Sequence, residues 1–167
     1  MTPFISLGNI SKTFYGVKAL DNMALTLIPG EVHCLAGQNG CGKSTLIKII
    51  SGVYQPDANA EIIIDGKQYT NLSPIDSVKA GVQVIYQDLS LFPNLTVAEN
   101  IGINQYHHHM LVNKREIRRI AELTIKSIDA KLDLDATVES LPIAQRQIVA
   151  ICRALSQEAK LIIMDEP

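Results

Sequence analysis

Residues 37–45 read GQNGCGKST and place three glycines ahead of a lysine and two hydroxyl side chains. They lie between the apolar run EVHCLA and the helix-like run LIKIISG. Each glycine loses extra backbone entropy on folding, so glycines are kept where an unusual conformation or a close approach requires them. The segment therefore indicates a loop whose backbone is approached closely by a polyanion.

This segment fits G-x-x-x-x-G-K-[ST], the pattern of the phosphate-binding P-loop, and the predicted order of strand, loop and helix fits as well. Backbone N–H groups around Gly40, Gly42 and Lys43 are expected to form an anion-binding nest, to which the following helix N-terminus adds positive partial charge. Lys43 is predicted to contact the β- and γ-phosphates, Ser44 to offer an oxygen to Mg²⁺, and Thr45 to support an outer phosphate. The predicted nucleotide-binding residues of the loop are Gly37, Gln38, Asn39, Gly40, Cys41, Gly42, Lys43, Ser44 and Thr45.

Two carboxylates follow an apolar run near the end of the chain, where residues 161–167 read LIIMDEP. The apolar residues predict a buried strand, and Asp165 at its end is predicted to hold Mg²⁺ through water. Glu166 is then placed to polarise an attacking water. Gln87 ends the predicted strand VQVIYQ and precedes a loop, from which it could reach the metal and its water. The predicted catalytic residues are Lys43, Gln87 and Glu166, and the predicted metal-binding residues are Ser44, Gln87 and Asp165.

Strand-like and helix-like patterns alternate around the glycine loop. ISLGNISKTF and VKALDNMALTLIPG predict an antiparallel pair of strands, and EVHCLAG predicts a short buried strand before the loop. AEIIIDG predicts a strand with an Asp-Gly turn, while Ser73 and Pro74 predict the start of a short helix. From Thr96 to about Leu155 the pattern is helical, which indicates an insertion between core strands.

These elements predict an α/β fold with a P-loop NTPase (RecA-like) core, an antiparallel β subdomain and an inserted helical subdomain. The core is predicted over about residues 1–95 and 158–167, and the helical subdomain over about residues 96–157. A natural domain rarely ends directly after a buried strand, so the sequence predicts a truncated nucleotide-binding domain.

Composition narrows the class of protein. The chain has 167 residues, 47% apolar and 19% charged, which is enough for one globular domain with a core. Its net charge of −2 provides no broad basic field, so nucleic acid is not expected as a partner. No apolar run approaches the roughly 20 residues that span a bilayer, and the N-terminus lacks a secretory signal pattern. The three cysteines have no metal-like spacing and indicate free thiols in a reducing cytosol.

Together these motifs resemble the ATP-binding subunit of ABC transporters. GQNGCGKST matches the family's Walker A motif, LIIMDEP its Walker B motif, and YQDLSLFPNLTVAENI its Q-loop region, with Gln87 as the Q-loop glutamine. SKTFYGVKALDNMAL matches the segment that carries an adenine-stacking aromatic, and its register favours Phe14 for that role, with Tyr15 as the alternative. LPIAQRQIVAICRAL begins at the position of the family's signature, here Leu141, Pro142, Ile143, Ala144 and Gln145.

The resemblance implies an ATPase component with ATP and Mg²⁺ as cofactors. Within the family, the chain is most similar to the monosaccharide importers of the ribose, xylose and galactose type. Their ATPases are tandem duplications, and this chain would be the N-terminal half. The implied partners are a second nucleotide-binding domain packed head to tail, transmembrane permease subunits and, indirectly, a sugar-binding protein. The chain would be cytoplasmic and peripheral on the inner face of the cell membrane.

Two other functions stay open. One is a non-transport ABC ATPase, such as a translation or repair factor, and the other is an ATP-binding half with little turnover. The second is favoured by the signature. The family's usual sequence is Leu-Ser-Gly-Gly-Gln, and this chain lacks the serine that contacts the γ-phosphate. Pro142 stands in its place and has no N–H, although proline is favoured at the first position of a helix.

Two polar clusters are interpreted as solvated surface. His107, His108 and His109 are adjacent, and adjacent histidines seldom converge on one metal ion, which favours a solvated loop. Residues 114–119 read KREIRR, and this basic amphipathic run favours a solvated helix face over binding to acidic lipid.

The cysteines carry a separate hypothesis. Cys41 lies inside the glycine loop and is either a small inert residue or a thiol that electropositive surroundings make reactive and that ATP shields. Cys34, on a predicted buried strand, and Cys152, on a predicted helix, are expected to react more slowly.

Overall fold

The computed structural model of the protein describes residues 2–103 and 113–165. Its strands and helices form a mixed α/β architecture, which confirms the predicted fold class. The chain divides into two compact units, of which the first ends at Val82 and the second begins at Gln83. The described strands are β1 (Ile5–Phe14), β2 (Val17–Leu27), β3 (Glu61–Ile64), β4 (Lys67–Tyr69), β5 (Val82–Ile85) and β6 (Leu161–Met164), and the described α-helices are α1 (Lys43–Ile50), α2 (Pro74–Lys79), α3 (Val97–Gly102), α4 (Lys114–Ser127) and α5 (Ile143–Leu155).

Four strands of the first unit form an antiparallel sheet in the order β2-β1-β3-β4. The turn between β1 and β2 consists of Tyr15 and Gly16, at φ 47° and 84°, and the turn between β3 and β4 consists of Asp65 and Gly66, at φ 50° and 75°. Two consecutive positive φ angles suit the right-handed twist of a tight hairpin. The predicted antiparallel pair and the predicted Asp-Gly turn are both confirmed.

Helix α1 follows the glycine loop and contacts β2. Its buried residues recur at helical spacing and form one apolar face. The helix ends as predicted at a glycine: Gly52 follows the C-cap Ser51 at φ 76°, and its N–H donates to the carbonyl of Ile49 at 3.0 Å. The buried residues of α1 are Leu46, Ile47, Ile49 and Ile50.

The predicted buried strand EVHCLAG does not form. Residues 31–38 have no regular secondary structure, Val32 is fully exposed, and Leu35 is 44% exposed. An apolar run becomes a strand only where a neighbour takes up its N–H and C=O groups, and none of the described strands of the first unit pairs with this segment. The apolar pattern was therefore a correct sign of strand propensity but a wrong prediction of the local structure.

β5 and β6 form a pair, and both lie in the second unit except for Val82, the first residue of β5. They are the strands predicted from VQVIYQ and LIIM. The N–H of Asp165 donates to the carbonyl of Ile85 at 3.0 Å, which joins the end of β5 to the residue after β6. The expectation that LIIM is fully buried is wrong, because three of its residues are half-buried and Met164 is 44% exposed. A described sheet of only two strands leaves more of each strand uncovered than a wider sheet does.

Helices α3, α4 and α5 share one apolar core. α3 begins at a capping box, in which the Thr96 hydroxyl accepts from the Glu99 N–H while the Glu99 carboxylate accepts from the Thr96 N–H. These helices lie within the predicted helical segment, while the predicted boundaries of core and helical subdomain stay predictions. Among residues 2–103 and 113–165, no helix has the length and apolar composition needed to cross a bilayer. The core residues are Val97, Ala98, Ile101, Ile117, Ala121, Ile125, Leu134, Val138, Leu141, Val149 and Cys152.

Candidate functional site

The glycine loop is tightly folded at its centre. The N–H of Cys41 donates to the carbonyl of Gln38 at 3.3 Å, which closes a turn around Asn39 and Gly40. Gly40 has a φ of 81°, a left-handed conformation that favours glycine. A Cβ added at Gly37 would lie 2.5 Å from the Cys41 sulfur, so the loop's two sides are in contact.

Gly42 sets the start of helix α1. It is the N-cap at φ 95°, and the first helical bond runs from the Leu46 N–H to its carbonyl at 2.9 Å. A Cβ here would lie 2.5 Å from the carbonyl oxygen of Ala19 and 2.6 Å from a methyl group of Leu20. Because glycine has no side chain, no side-chain cap covers the first-turn N–H groups. The N-terminus of α1 is therefore open to an anionic group.

Lys43 lies over the first residues of the loop. Its Nζ donates to the carbonyl oxygens of Gly37 at 2.7 Å and Gln38 at 3.0 Å, and lies 3.9 Å from the Cys41 sulfur. Ser44 beside it is exposed. The loop therefore combines an ammonium group, an uncapped helix N-terminus and an accessible hydroxyl, which is the donor set that a phosphate chain requires.

The two candidate stacking residues have different surroundings. The Phe14 ring is half-buried and packs edge-on against Tyr54, with ring centroids 5.3 Å apart and an interplanar angle of 64°. The Lys12 ammonium lies 5.4 Å from the centroid of the Phe14 ring. Tyr15 is fully exposed in the hairpin turn. Phe14 is thus a ring in a defined orientation, whereas Tyr15 has more freedom to move.

Gln87 is exposed on a tight turn that follows β5. The turn is closed by the Leu89 N–H, which donates to the Tyr86 carbonyl at 2.8 Å, so that Gln87 and Asp88 are its central residues. Because the Asp165 N–H bonds to Ile85 at the end of β5, the structure brings Asp165 and the start of this turn to the same end of the two strands.

The signature segment begins helix α5. Leu141 is buried in the apolar core of the second unit, whereas Pro142, Ile143 and Ala144 are exposed, Ile143 by 65%. Gln145, which ends the segment, is half-buried. Pro142 is the N-cap and not the first helical residue as predicted, because its ψ of 153° is extended while its carbonyl already accepts from the Arg146 N–H. No side-chain cap covers this helix N-terminus.

The chemistry of the predicted metal ligands suits Mg²⁺. Within the described part of the chain, no three His, Cys, Asp or Glu side chains cluster as a metal site. Ser44, Gln87 and Asp165 instead offer a hydroxyl, an amide oxygen and a carboxylate, and Mg²⁺ binds few protein oxygens when phosphates and water complete its shell. Glu166 and the three histidines His107, His108 and His109 lie outside the described residues.

A protein-family model described as ABC transporter matches residues 20–167, which include the glycine loop, Gln87, the signature segment and Asp165. The chain belongs to the ABC transporter family.

Two curated ABC relatives are similar over the whole chain. Ribose import ATP-binding protein RbsA 1 of Burkholderia cenocepacia is 44% identical, with 99% of this chain and 33% of the relative aligned. Arabinose import ATP-binding protein AraG of Paraburkholderia xenovorans is also 44% identical, with 100% of this chain and 32% of the relative aligned. The chain thus spans about a third of the length of the curated relatives it matches.

Solved ABC structures share the fold. An ATP-binding cassette of an ABC transporter in its ADP conformation has a TM-score of 0.82 and 28% identity, covering 100% of this chain and 70% of that one. A dimeric cassette in a post-hydrolysis state, bound to ADP and Pi, has a TM-score of 0.79 and 27% identity, covering 98% of this chain and 74% of that one.

Sequence reasoning missed two polar residues that hold the loop after Gln87. Asn100 is fully buried, and its amide bonds to the N–H and carbonyl of Phe92 at 2.8 and 3.0 Å. Arg153 on α5 donates to the carbonyls of Leu89 and Ser90. Arg153 stands in the otherwise apolar run VAICRAL, where a charged residue was the available signal. Asn100 follows the charged Glu99 in VAENIG, so no comparable signal marks it in the sequence.

The predicted burial of Cys34 on a strand is wrong, since Cys34 is exposed on the segment that forms no strand. Cys41 is exposed as well, while Cys152 is buried, and burial raises the pKa of its thiol to about 11. The thiolate is the reactive form, so Cys152 is expected to be inert at neutral pH.

Proposed function

We propose that this chain is the ATP-binding and ATP-hydrolysing component of an ABC importer for a sugar. The observation that carries the proposal is the loop before α1, where Gly42 leaves a helix N-terminus uncapped beside the Lys43 ammonium. The relatives' names, ribose import and arabinose import ATP-binding proteins, support a monosaccharide as the transported substrate.

The proposed roles follow from the chemistry of each group. Lys43 and the first-turn N–H groups of α1 bind and neutralise the β- and γ-phosphates, while Phe14 stacks on the adenine. Ser44, Gln87 and Asp165 would hold Mg²⁺, which spreads the charge that develops on the phosphates during in-line attack by water. Glu166 is the proposed base that takes the proton of that water.

We further propose the family's assembly for this chain. A second nucleotide-binding domain would present its own signature to the bound ATP. The signature segment of this chain, which begins at the buried Leu141 and ends at Gln145, would face the partner's nucleotide with its exposed residues Pro142, Ile143 and Ala144. Permease subunits would recruit the complex to the inner face of the membrane, and a sugar-binding protein would deliver the sugar. The likeness to a dimeric cassette supports the pairing of two such domains.

Isothermal titration of the chain with ATP, in the presence and absence of Mg²⁺, tests the nucleotide site. We expect one molecule of ATP per chain and weaker binding of AMP, which lacks the phosphates that the loop contacts. Equal affinity for ATP and AMP would contradict the proposed role of the loop.

An ATP-binding half with little turnover is the second candidate. It is favoured by the exposed Pro142 and Ile143 at the start of α5, because neither offers a hydroxyl to the γ-phosphate of the ATP that the paired domain would bind. Single-turnover hydrolysis distinguishes the two functions, measured in a chain that extends to the length of the ribose-import relatives. Hydrolysis in one turnover supports the first candidate, and stable bound ATP supports the second.

Replacing Phe14 by leucine should weaken ATP binding by about 1–3 kcal/mol and leave inorganic triphosphate unaffected, because stacking acts only on the base. Leucine retains an apolar contact with Tyr54, so the local packing is largely preserved. Tyr15→Ala is the matched control, since the ring is fully exposed and its loss removes no packing. A selective loss in Tyr15→Ala, with Phe14→Leu unchanged, would assign the stacking to Tyr15.

Brief maleimide treatment should label Cys41 and Cys34 quickly and Cys152 slowly, since the first two are exposed. Mg-ATP should suppress labelling of Cys41 alone, because phosphates would fill the loop while residue 34 lies outside it. Peptide mass spectrometry gives the three rates in one sample, and Cys34 serves as the internal control. Labelling of Cys41 that is slow, or indifferent to Mg-ATP, would support the inert-residue interpretation.

A further inference from the structure

The loop that follows Gln87 has an unusual backbone. Leu89 and Ser90 are consecutive non-glycine residues at φ 55° and 46°, a left-handed conformation that L residues adopt at an energetic cost. Such a conformation persists only where surrounding contacts hold it. The contacts around these two residues therefore decide the path of the chain that leaves Gln87.

One of those contacts comes from the loop itself. The Asp88 carboxylate accepts the Ser90 N–H at 3.1 Å and the Ser90 hydroxyl at 2.8 Å. A side-chain turn of this kind is local and solvent-exposed, so it shapes the loop without attaching it to a neighbouring element.

The attachment is made by Arg153 on helix α5. Its Nη1 donates to the carbonyl of Ser90 at 2.7 Å and its Nη2 to the carbonyl of Leu89 at 3.1 Å. The guanidinium is planar, so two bonds to consecutive carbonyls fix both the position and the orientation of the loop. Burial lowers the pKa of Arg153 and the Asp88 carboxylate raises it, while an arginine side chain remains charged in proteins.

The far end of the same loop is held by Asn100 of α3, which bonds to Phe92, Leu95 and Thr96. The near end is held by β5, to which Asp165 is also bonded. The stretch between these two anchors carries Gln87, and Arg153 is the side chain that ties it to α5, the helix that begins at the signature segment.

We propose that Arg153 is a positioning residue for Gln87, which couples the signature helix α5 to the loop that presents the Gln87 side chain to Mg²⁺. The inference rests on the proposed function. With Arg153 in place, the backbone that follows Gln87 is held before Mg²⁺ binds, so that only the Gln87 side chain would have to be oriented. Without it, the backbone of the turn would also have to be ordered each time Mg²⁺ binds.

Arg146 provides a matched control on the same helix. Its guanidinium also donates twice to backbone carbonyls, to Leu141 at 2.8 Å and to Glu139 at 2.7 Å, but it holds the turn before α5 and not the Q-loop. Arg153→Met and Arg146→Met therefore remove comparable bonds from two different loops.

The first measurement is hydrogen exchange of the ligand-free chain. Arg153→Met should speed exchange of the Leu89 and Ser90 amides by about tenfold and leave the Ser140 and Leu141 amides unchanged. Arg146→Met should do the reverse. Equal exchange of Leu89 and Ser90 in the parent and Arg153→Met would overturn the inference.

The second measurement is a titration of ATP affinity against Mg²⁺ concentration. Its midpoint is the Mg²⁺ concentration that gives half of the full increase in ATP affinity. Loss of an outer residue that orients a metal ligand typically costs about 10- to 100-fold in metal affinity, so Arg153→Met should raise this midpoint by about tenfold. ATP affinity without Mg²⁺ should stay within about twofold of the parent. An unchanged Mg²⁺ midpoint in a variant whose Leu89 and Ser90 amides exchange faster than in the parent would overturn the inference.

Arg153→Lys keeps the test decisive if the methionine variant fails to fold. Lysine retains the charge and can reach one carbonyl but not both, so a smaller shift of the midpoint in the same direction is expected. A parent chain that binds no ATP would refute the proposed function and this inference with it. A parent that binds ATP and has the same Mg²⁺ midpoint as the Arg153→Lys variant would refute the inference alone.

Discussion

Lys43→Ala should lower the affinity for Mg-ATP by about 30- to 4,000-fold, since loss of one partner of a desolvated charge pair typically costs about 2–5 kcal/mol. Lys43 is the first residue of α1, and residues 37–42 of the glycine loop before it carry no charged side chain that could replace the ammonium. Isothermal titration with Mg-ATP measures the loss.

The lysine has a second effect that the measurement must separate. Nζ also bonds to the carbonyls of Gly37 and Gln38, so its removal loosens the empty loop. Lys43→Arg keeps a positive charge and restores bonds to the carbonyls, and it should recover part of the affinity. Lys48→Ala is the control on the same helix, because Lys48 lies in the last turn of α1, over the Tyr54 ring. Unchanged ATP affinity in Lys43→Ala would refute the phosphate-binding role.

Gly42→Ala should destabilise the first unit by about 2–4 kcal/mol, combining left-handed strain with overpacking. At φ 95° the backbone already disfavours any side chain. The added Cβ would also lie 2.5 Å from the Ala19 carbonyl, a backbone atom of β2 that cannot turn aside. Denaturant unfolding measures the cost, and Mg-ATP binding should be lost even where the variant remains folded, since the N-terminus of α1 must shift.

Gly40→Ala is the matched control for Gly42→Ala. Gly40 has a similar φ of 81°, but nothing lies within 4 Å of a Cβ added there. It should therefore cost only the strain of about 1–2 kcal/mol. Equal destabilisation in the two variants would mean that the contact with β2 does not hold the loop.

Local patterns were sufficient for much of the fold. The alternation in ISLGNISKTF, the Asp-Gly turn at residues 65 and 66, and the cap at Ser73 act over a few residues, so the sequence reports them directly. The same is true of the P-loop, because its glycines, lysine and hydroxyls are adjacent in the chain. Its phosphate-binding role stays a prediction, though the uncapped helix N-terminus at Gly42 agrees with it.

These local patterns could not predict which residues far apart in the chain contact each other. Residues 31–37 are apolar enough for a buried strand, yet a strand also needs a neighbour that accepts its hydrogen bonds, and sequence alone does not name one. The predicted helix position of Pro142 was wrong by one residue, because a φ near −60° fits both an N-cap and a first helical residue. In each case the composition was interpreted correctly and the surroundings decided the outcome.

By itself, the sequence determined the elements whose causes are local: the hairpins, the helix ends and the glycine loop with Lys43. Only the tertiary structure decided which distant groups meet. Ala19 lies against Gly42, and Arg153 bonds to residues that lie 63 and 64 positions away in the chain. The physical reason is that such contacts depend on how whole elements pack, and periodicity reports which face of a helix is buried but not what that face touches.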